Sequence, residues 1–173
     1  MNLFSFSRLE RYAKCPKSFY YKYVLEIEEP ISEPLALGKA VHAAIERFLK
    51  AQWANEKKDM SECVAEAVAE APVPISFDEA LQLCLNPAVR ERTFCYGPPE
   101  IEQRFDVQLD DAGEYGLQGT VDYSERNLTD VKNCLLVDWK TNRAKYGADC
   151  LQMRLYAAVL ARRYKVEQVL AQL

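Results

Sequence analysis

The chain changes its hydrophobic period part-way along. Apolar residues recur at helical spacing in the first half and alternate with polar residues in much of the second, so helices and then strands are predicted. The best helix covers residues 37–53, with Leu37, Val41, Ala44, Ile45 and Phe48 as its apolar stripe. Ahead of it, Ser7 followed three residues later by Glu10 has the form of a capping box, and Pro16 ends that first short helix or opens the next. Residues 26–36, with Pro30 and Pro34, read as an acidic loop. Residues 61–71 and 77–85 read as two further helices, separated by Pro72 and Pro74, and Gly97-Pro98-Pro99 is a stop.

Alternation begins after that stop. A strand over 101–109 places Ile101, Phe105, Val107 and Leu109 on one face and Glu102, Arg104, Asp106 and Gln108 on the other. Asp110-Asp111-Ala112-Gly113 is a turn, and a strand over 116–124 returns. Its Leu117, Val121 and Tyr123 oppose Gln118, Thr120 and Asp122. A polar loop over 126–133 leads to a strand over 134–141, in which Leu135, Val137 and Trp139 oppose Leu136, Asp138 and Lys140. A link over 142–147 leads to a helix over about 149–164, with Leu151, Leu155, Ala158 and Val159 as its stripe, and residues 166–173 form an apolar strand. A helix between two strands of one sheet makes them parallel. The fold class is therefore α/β: a central mixed sheet, an antiparallel meander plus one parallel strand, flanked by helices.

Composition narrows the class without choosing a function. At 173 residues, one domain spanning 1–173 is expected, with 54–99 as a helical insertion or cap. Hydrophobic residues make up 49% and charged residues 28%, as in a soluble globular protein, and no apolar run is long enough to span a membrane. The six cysteines, Cys15, Cys63, Cys84, Cys95, Cys134 and Cys150, contain no C-x-x-C pair, which points to reduced thiols in a cytoplasmic protein. A net charge of -4 argues against a surface that binds nucleic acid over its whole extent, but not against a local basic groove.

Two stretches carry candidate chemistry. Asp138 and Lys140 point the same way from an apolar strand, and pairing with the preceding strand would let Asp122 join them. Charges placed there are costly without a partner or a use. Carboxylate oxygens of this kind suit Mg²⁺ or Mn²⁺, and a neighbouring lysine can stabilise charge developing on a phosphate. An isolated Asp-x-Lys triplet, in contrast, usually marks a solvated face. Near the N-terminus, Arg8, Arg11, Lys14, Lys17 and Lys22 interleave with Tyr12, Phe19, Tyr20, Tyr21 and Tyr23. Such a mixture suits nucleic acid, with Arg8, Arg11, Lys14, Lys17 and Tyr20 as candidate contacts. The competing reading makes the aromatics core and the cations their solvated fringe. The aromatics favour that reading, while for the cations both stand. His42, the only histidine, pairs with Glu46 at i, i+4, and a lone helical histidine is more often structural than a ligand.

Five blocks in order resemble the PD-(D/E)XK nuclease superfamily, in its RecB-like branch, which includes the nuclease domains of RecB and AddB and the CRISPR-associated exonucleases. They are Ser5-Phe6-Ser7 to Cys15-Pro16 with Phe19-Tyr20-Tyr21, Leu37-Gly38 to His42 with Glu46, Gly119 to Asp122, Asp138-x-Lys140-Thr141, and Gln152-x-x-x-Tyr156. The resemblance implies a restriction-endonuclease-like core. It makes His42, Asp122, Asp138 and the carbonyl of Trp139 metal ligands, with Glu102 a further ligand through water. Lys140 becomes the catalytic lysine, and Gln152 and Tyr156 line the site. The implied activity is Mg²⁺- or Mn²⁺-dependent hydrolysis of single- or double-stranded DNA by an exonuclease of recombination, repair or phage DNA processing. A helicase or recombination protein would be its partner.

The alternative is a catalytically silent nuclease-like domain that binds DNA or a protein. A metal-dependent hydrolase of non-nucleic phosphates has no support beyond the ligands. Some relatives bind an iron–sulfur cluster through an N-terminal cysteine and a downstream triplet. Cys15 matches the first in type, the triplet is missing, and no cluster is expected from this chain. The apolar end at 169–173 leaves an incomplete fold or a missing fusion partner as readings.

Overall fold

The computed structural model describes residues 2–85, 89, 97–130, 132–141, 147 and 150–172. Cys95, most of the 142–147 link, the predicted helix start at 149 and the final residue of the last strand lie outside them. The chain divides into two compact units, Met1–Pro30 with Gln103–Val121, and Ile31–Glu102 with Asp122–Leu173. Strands β2 (Pro99–Gln108) and β3 (Tyr115–Arg126) each contribute residues to both.

In the first unit a short strand that the pattern did not predict, β1 (Asn2–Phe4), pairs in parallel with the start of β3, Asn2 opposite Tyr115 and Phe4 opposite Leu117. Helix α1 (Phe6–Lys14) follows at once. Its N-cap is Ser5 and not Ser7: Ser5 Oγ accepts the Arg8 N–H at 3.3 Å, and the Ser7 hydroxyl lies 3.0 Å from Ser5 Oγ. The strand before it fixes Ser5 as the last extended residue, and that decides the cap. Pro16 opens α2 (Pro16–Tyr23), with Cys15 between the helices. Neither helix buries a residue fully, and Tyr12, Tyr20 and Tyr21 are exposed, so those three aromatics are not core. Phe19 is half-buried, with its ring centroid 5.4 Å from Tyr12 and 5.0 Å from Tyr23. The predicted turn is present: Asp110 accepts the N–H groups of Glu114 and Tyr115 at 3.2 and 2.9 Å, and Gly113 supplies a φ of 69°.

The second unit holds the main core. Helix α3 (Glu33–Trp53) begins inside the predicted loop, because Pro34 falls in its first turn, where a missing N–H costs nothing. Helix α4 (Met60–Ala69) starts with a true capping box, Asp59 and Glu62, and α5 (Phe77–Cys84) with the Ser76 hydroxyl. Both helices pack into the core of this unit. Val41, Ile45 and Leu49 of α3 share one apolar cluster with Cys63 and Val64 of α4, Cys84 of α5, and Tyr123, Leu135, Val137 and Trp139. Each large side chain buried in this way contributes about 1.5–3 kcal/mol.

Strand β4 (Asn133–Val137) is antiparallel to β3, with Tyr123 opposite Val137 and Arg126 opposite Cys134. It is parallel to β5 (Gln168–Gln172), as the intervening helix α6 (Leu151–Tyr164) requires. The order β1-β3-β4-β5, with β2 also on β3, makes the expected mixed sheet flanked by helices. Two details differ from the pattern. Strand β4 stops at Val137, because only one more ladder bond forms, Asp138 N–H to Gln172 O at 3.1 Å, and the next N–H, of Trp139, goes to a side chain. Helix α6 buries Met153, Tyr156, Val159, Leu160 and Tyr164, whereas Leu151 and Ala158 are exposed. Its inner face is thus rotated from the aliphatic stripe toward the tyrosines.

Candidate metal and phosphate site

Four elements of the second unit bring the candidate residues together. Asp122 comes from β3, His42 from the middle of α3, and Glu102 from β2, while Asp138 follows the end of β4. Asp122 and Asp138 are both buried. His42 Nδ1 lies 3.2 Å from Glu102 Oε1 and 3.6 Å from Asp122 Oδ1. One ligand atom each from His42, Glu102 and Asp122 fall within 4.8 Å of one another. The other oxygen of Asp122 accepts the Trp139 N–H at 2.7 Å, which fixes the carboxylate and ties β3 to the segment after β4. Glu102 has a φ of 50°, a left-handed conformation unusual for a residue with a side chain and costing on the order of 1–3 kcal/mol.

A second set adjoins the first through Trp139. Lys140 Nζ lies 2.5 Å from Asp138 Oδ2 and donates to Gln152 Oε1 at 2.8 Å, and Gln152 Nε2 donates to Asp138 Oδ1 at 2.9 Å. The close approach of Lys140 to Asp138 Oδ2 is an ion pair. The ring of three side chains fixes the orientation of the Gln152 amide and holds the Lys140 ammonium in one place. Tyr156 is buried one turn further along α6, and Trp139 is buried with its ring 6.5 Å from Tyr123.

Electrostatics follow from this crowding. Burial pushes the Asp122 carboxyl up and the Asp138 charge adds to the rise; His42 opposes them, and the outcome is a pKa of about 7. Burial disfavours the charged form of His42, but the Glu102 hydrogen bond and the charges of Asp122, Glu102 and Asp138 outweigh it, and its pKa stands above the ordinary value. One imidazole and two carboxylates, with a third carboxylate beside them, are a donor set that fits a divalent cation, and a cation would relieve the repulsion that raises Asp122.

The structure thus joins His42, Glu102 and Asp122 in one cluster and Asp138, Lys140 and Gln152 in the next. It does not join His42 to Glu46, whose carboxylate instead meets Lys50 at 2.5 Å. The candidate nucleic-acid contacts lie in the first unit and divide by role. Arg8 donates to Leu3 O at 2.8 Å and lies over the Tyr23 ring, 4.5 Å from its centre. Arg11 pairs with Glu29, Lys14 with Glu10, and Lys17 lies 5.7 Å from the Tyr21 ring centre, while Tyr20 is exposed. One positioning residue was not assigned from sequence. A Cβ on Gly38 would meet Thr141 Oγ1 at 3.1 Å, so glycine lets α3 approach the segment that carries Lys140. Its signal was a glycine inside a strong helix, which costs about 1 kcal/mol relative to alanine.

The model of the PD-(D/E)XK nuclease superfamily matches residues 3–172. The chain belongs to the PD-(D/E)XK nuclease superfamily. Neither the curated proteins nor the solved structures gave a match. Membership carries nuclease chemistry, a divalent metal and a nucleic-acid ligand in general terms. For this PD-(D/E)XK chain the cluster of His42, Glu102 and Asp122 is the candidate metal site. Among the described residues no helix is long and apolar enough to cross a membrane.

Proposed function

We propose that the protein is a divalent-metal-dependent deoxyribonuclease of the RecB-like branch. It acts as an exonuclease in recombination, repair or phage DNA processing in the cytoplasm, beside a helicase or recombination partner. We read the chain as one nuclease domain elaborated by residues 54–99. The observation that carries the proposal is the Lys140–Gln152–Asp138 ring adjoining the His42, Glu102 and Asp122 cluster. A solvated strand face has no use for a half-buried lysine held by two partners, one of them the buried Asp138.

In this reading His42, Asp122, Asp138 and the Trp139 carbonyl hold Mg²⁺ or Mn²⁺, with Glu102 assisting. When bound, the ion supplies Lewis-acid polarisation of the phosphodiester and activation of water. Lys140 presents a fixed positive charge to the phosphate and stabilises the charge that develops in the transition state. Gln152 keeps its ammonium in place, and Tyr156 supports that wall of the site. The net charge of -4 favours a second reading, a nuclease-like domain that binds DNA or a protein without cutting.

Linear and covalently closed circular DNA, each single- and double-stranded, incubated with Mn²⁺ or with EDTA, separate the readings. The exonuclease reading predicts loss of linear DNA with Mn²⁺ only and survival of the circles. Cut circles would make the enzyme an endonuclease, and intact linear DNA under all conditions would favour the silent domain.

A further inference from the structure

In the first unit, Arg11 and Lys22 converge on the Glu29 carboxylate. Arg11 Nη1 and Nη2 donate to the two oxygens of Glu29 at 2.5 and 3.0 Å, and Lys22 Nζ donates to the second oxygen at 2.6 Å. Arg11 Nη1 also donates to Ser18 Oγ at 3.1 Å, which holds the guanidinium between α1 and α2. The cradle opens on a cleft lined by Arg11, Ser18 and Lys22, with the Lys14–Glu10 ion pair also on its wall. Glu29 lies outside both helices, on the exposed segment just before Pro30. The cradle comes from helices, and its occupant from a loop.

A guanidinium fork and an ammonium around one site form a receptor for a planar or tetrahedral oxyanion. The occupant also indicates which oxyanion. A carboxylate presents two oxygens and one negative charge, as do the two non-bridging oxygens of a phosphodiester, whereas a phosphate monoester or free phosphate presents more of both. Exposed Tyr20 on α2 offers a ring face in the same unit, and Lys17, beside the Tyr21 ring, adds further charge. The Arg11 and Lys22 hydrogen bonds hold the Glu29 carboxyl down at about 2, so it is ionised throughout the neutral range. The competition is therefore between two anions of equal charge.

We propose that Arg11, Lys22 and Ser18 form a binding site for a backbone phosphodiester of a nucleic-acid strand, with Glu29 as an intramolecular occupant that the strand must displace. The proposal rests on the nuclease reading for its ligand and adds a self-occupied contact that sets affinity. Glu29 lowers binding by the fraction of time it fills the cradle. An exposed ion pair is weak, so the effect is modest and reversible.

The test uses the full chain and a fluorescent single-stranded oligonucleotide without terminal phosphate, with binding followed by anisotropy in EDTA to prevent cutting. Glu29→Gln should tighten binding about threefold to fivefold. The Arg11→Ala/Lys22→Ala pair should weaken it, and adding Glu29→Gln to that pair should have no further effect. Circular dichroism confirms that each variant is folded. Equal tightening by Glu29→Gln with and without the cradle would reduce the effect to general charge and overturn the site. Millimolar inorganic phosphate should not compete with the oligonucleotide on Glu29→Gln beyond its ionic strength; selective competition would assign the cradle to free phosphate and overturn the phosphodiester assignment. If wild type binds the strand and Glu29→Gln binds no tighter, the displaced-carboxylate proposal falls and the nuclease reading stands. If neither binds, the phosphodiester proposal falls, and the nuclease reading is decided separately by the cleavage assay with Mn²⁺.

Discussion

At the scale of single residues, the site is governed by how much charge is buried together. Asp122 titrates near 7 in the folded protein against an ordinary value of 3.8, so between those values the folded state binds more protons than the unfolded one. Stability of the metal-free protein should fall as pH rises through that window. His42 acts in the same sense, since its raised pKa stabilises the fold below the ordinary imidazole value and that contribution is lost as pH rises through the folded value. A divalent ion needs both groups deprotonated, so its stabilising effect should grow with pH. Melting curves from pH 5 to 8 in EDTA should show this decline for wild type and a shallower one for Asp122→Asn; identical slopes would contradict the role given to Asp122. Asp122, Asp138 and Lys140 were legible in the sequence because ionisable residues interrupt apolar strands. Gln152 was legible only through the resemblance, because no periodicity says that an amide on a later helix will bridge a lysine and an aspartate.

At the scale of elements, period and punctuation specified most helices and strands, and side-chain bonds moved their ends. The α1 cap is an example. Ser5→Ala should cost about 1 kcal/mol of stability and Ser7→Ala less than half of that, measured by urea denaturation, with the reverse order restoring the Ser7 capping box. Strand β4 ended early because Asp122 took the Trp139 N–H, a long-range bond that alternation cannot reveal. The inner face of α6 was misread because Tyr156 and Tyr164 count as weakly apolar although both are buried. Strand β1 has three residues, too few for any period to register. Gly38 links element to site. Gly38→Ala gains about 1 kcal/mol of helix propensity and meets Thr141 at 3.1 Å, two effects that oppose each other in stability. The displaced Thr141 adjoins Lys140, so cleavage should drop roughly tenfold with little change in melting temperature. Unchanged cleavage would remove Gly38 from the positioning of the site.

At the scale of the whole molecule, family membership and geometry support one proposal: the second unit carries a metal site with a fixed lysine beside it, and that assembly cuts DNA. The claim separates binding from chemistry. In the proposed mechanism Asp122 is one of the ion's ligands, so Asp122→Ala should lose Mn²⁺ binding and cleavage together. In the same proposed mechanism Lys140 acts on the transition state, so Lys140→Ala should keep Mn²⁺ binding and the fold. A preorganised charge of this kind is worth on the order of 3 kcal/mol, about a hundredfold in rate. Lys140→Arg should recover little, because a planar guanidinium does not reproduce a compact ammonium held by Asp138 and Gln152. The most direct test is single-turnover cleavage of end-labelled linear DNA at saturating enzyme and Mn²⁺, comparing wild type with Lys140→Ala. The account predicts Mn²⁺-dependent cleavage by wild type and about a hundredfold slower cleavage by Lys140→Ala; equal rates for the two, or no cleavage by wild type, would contradict it.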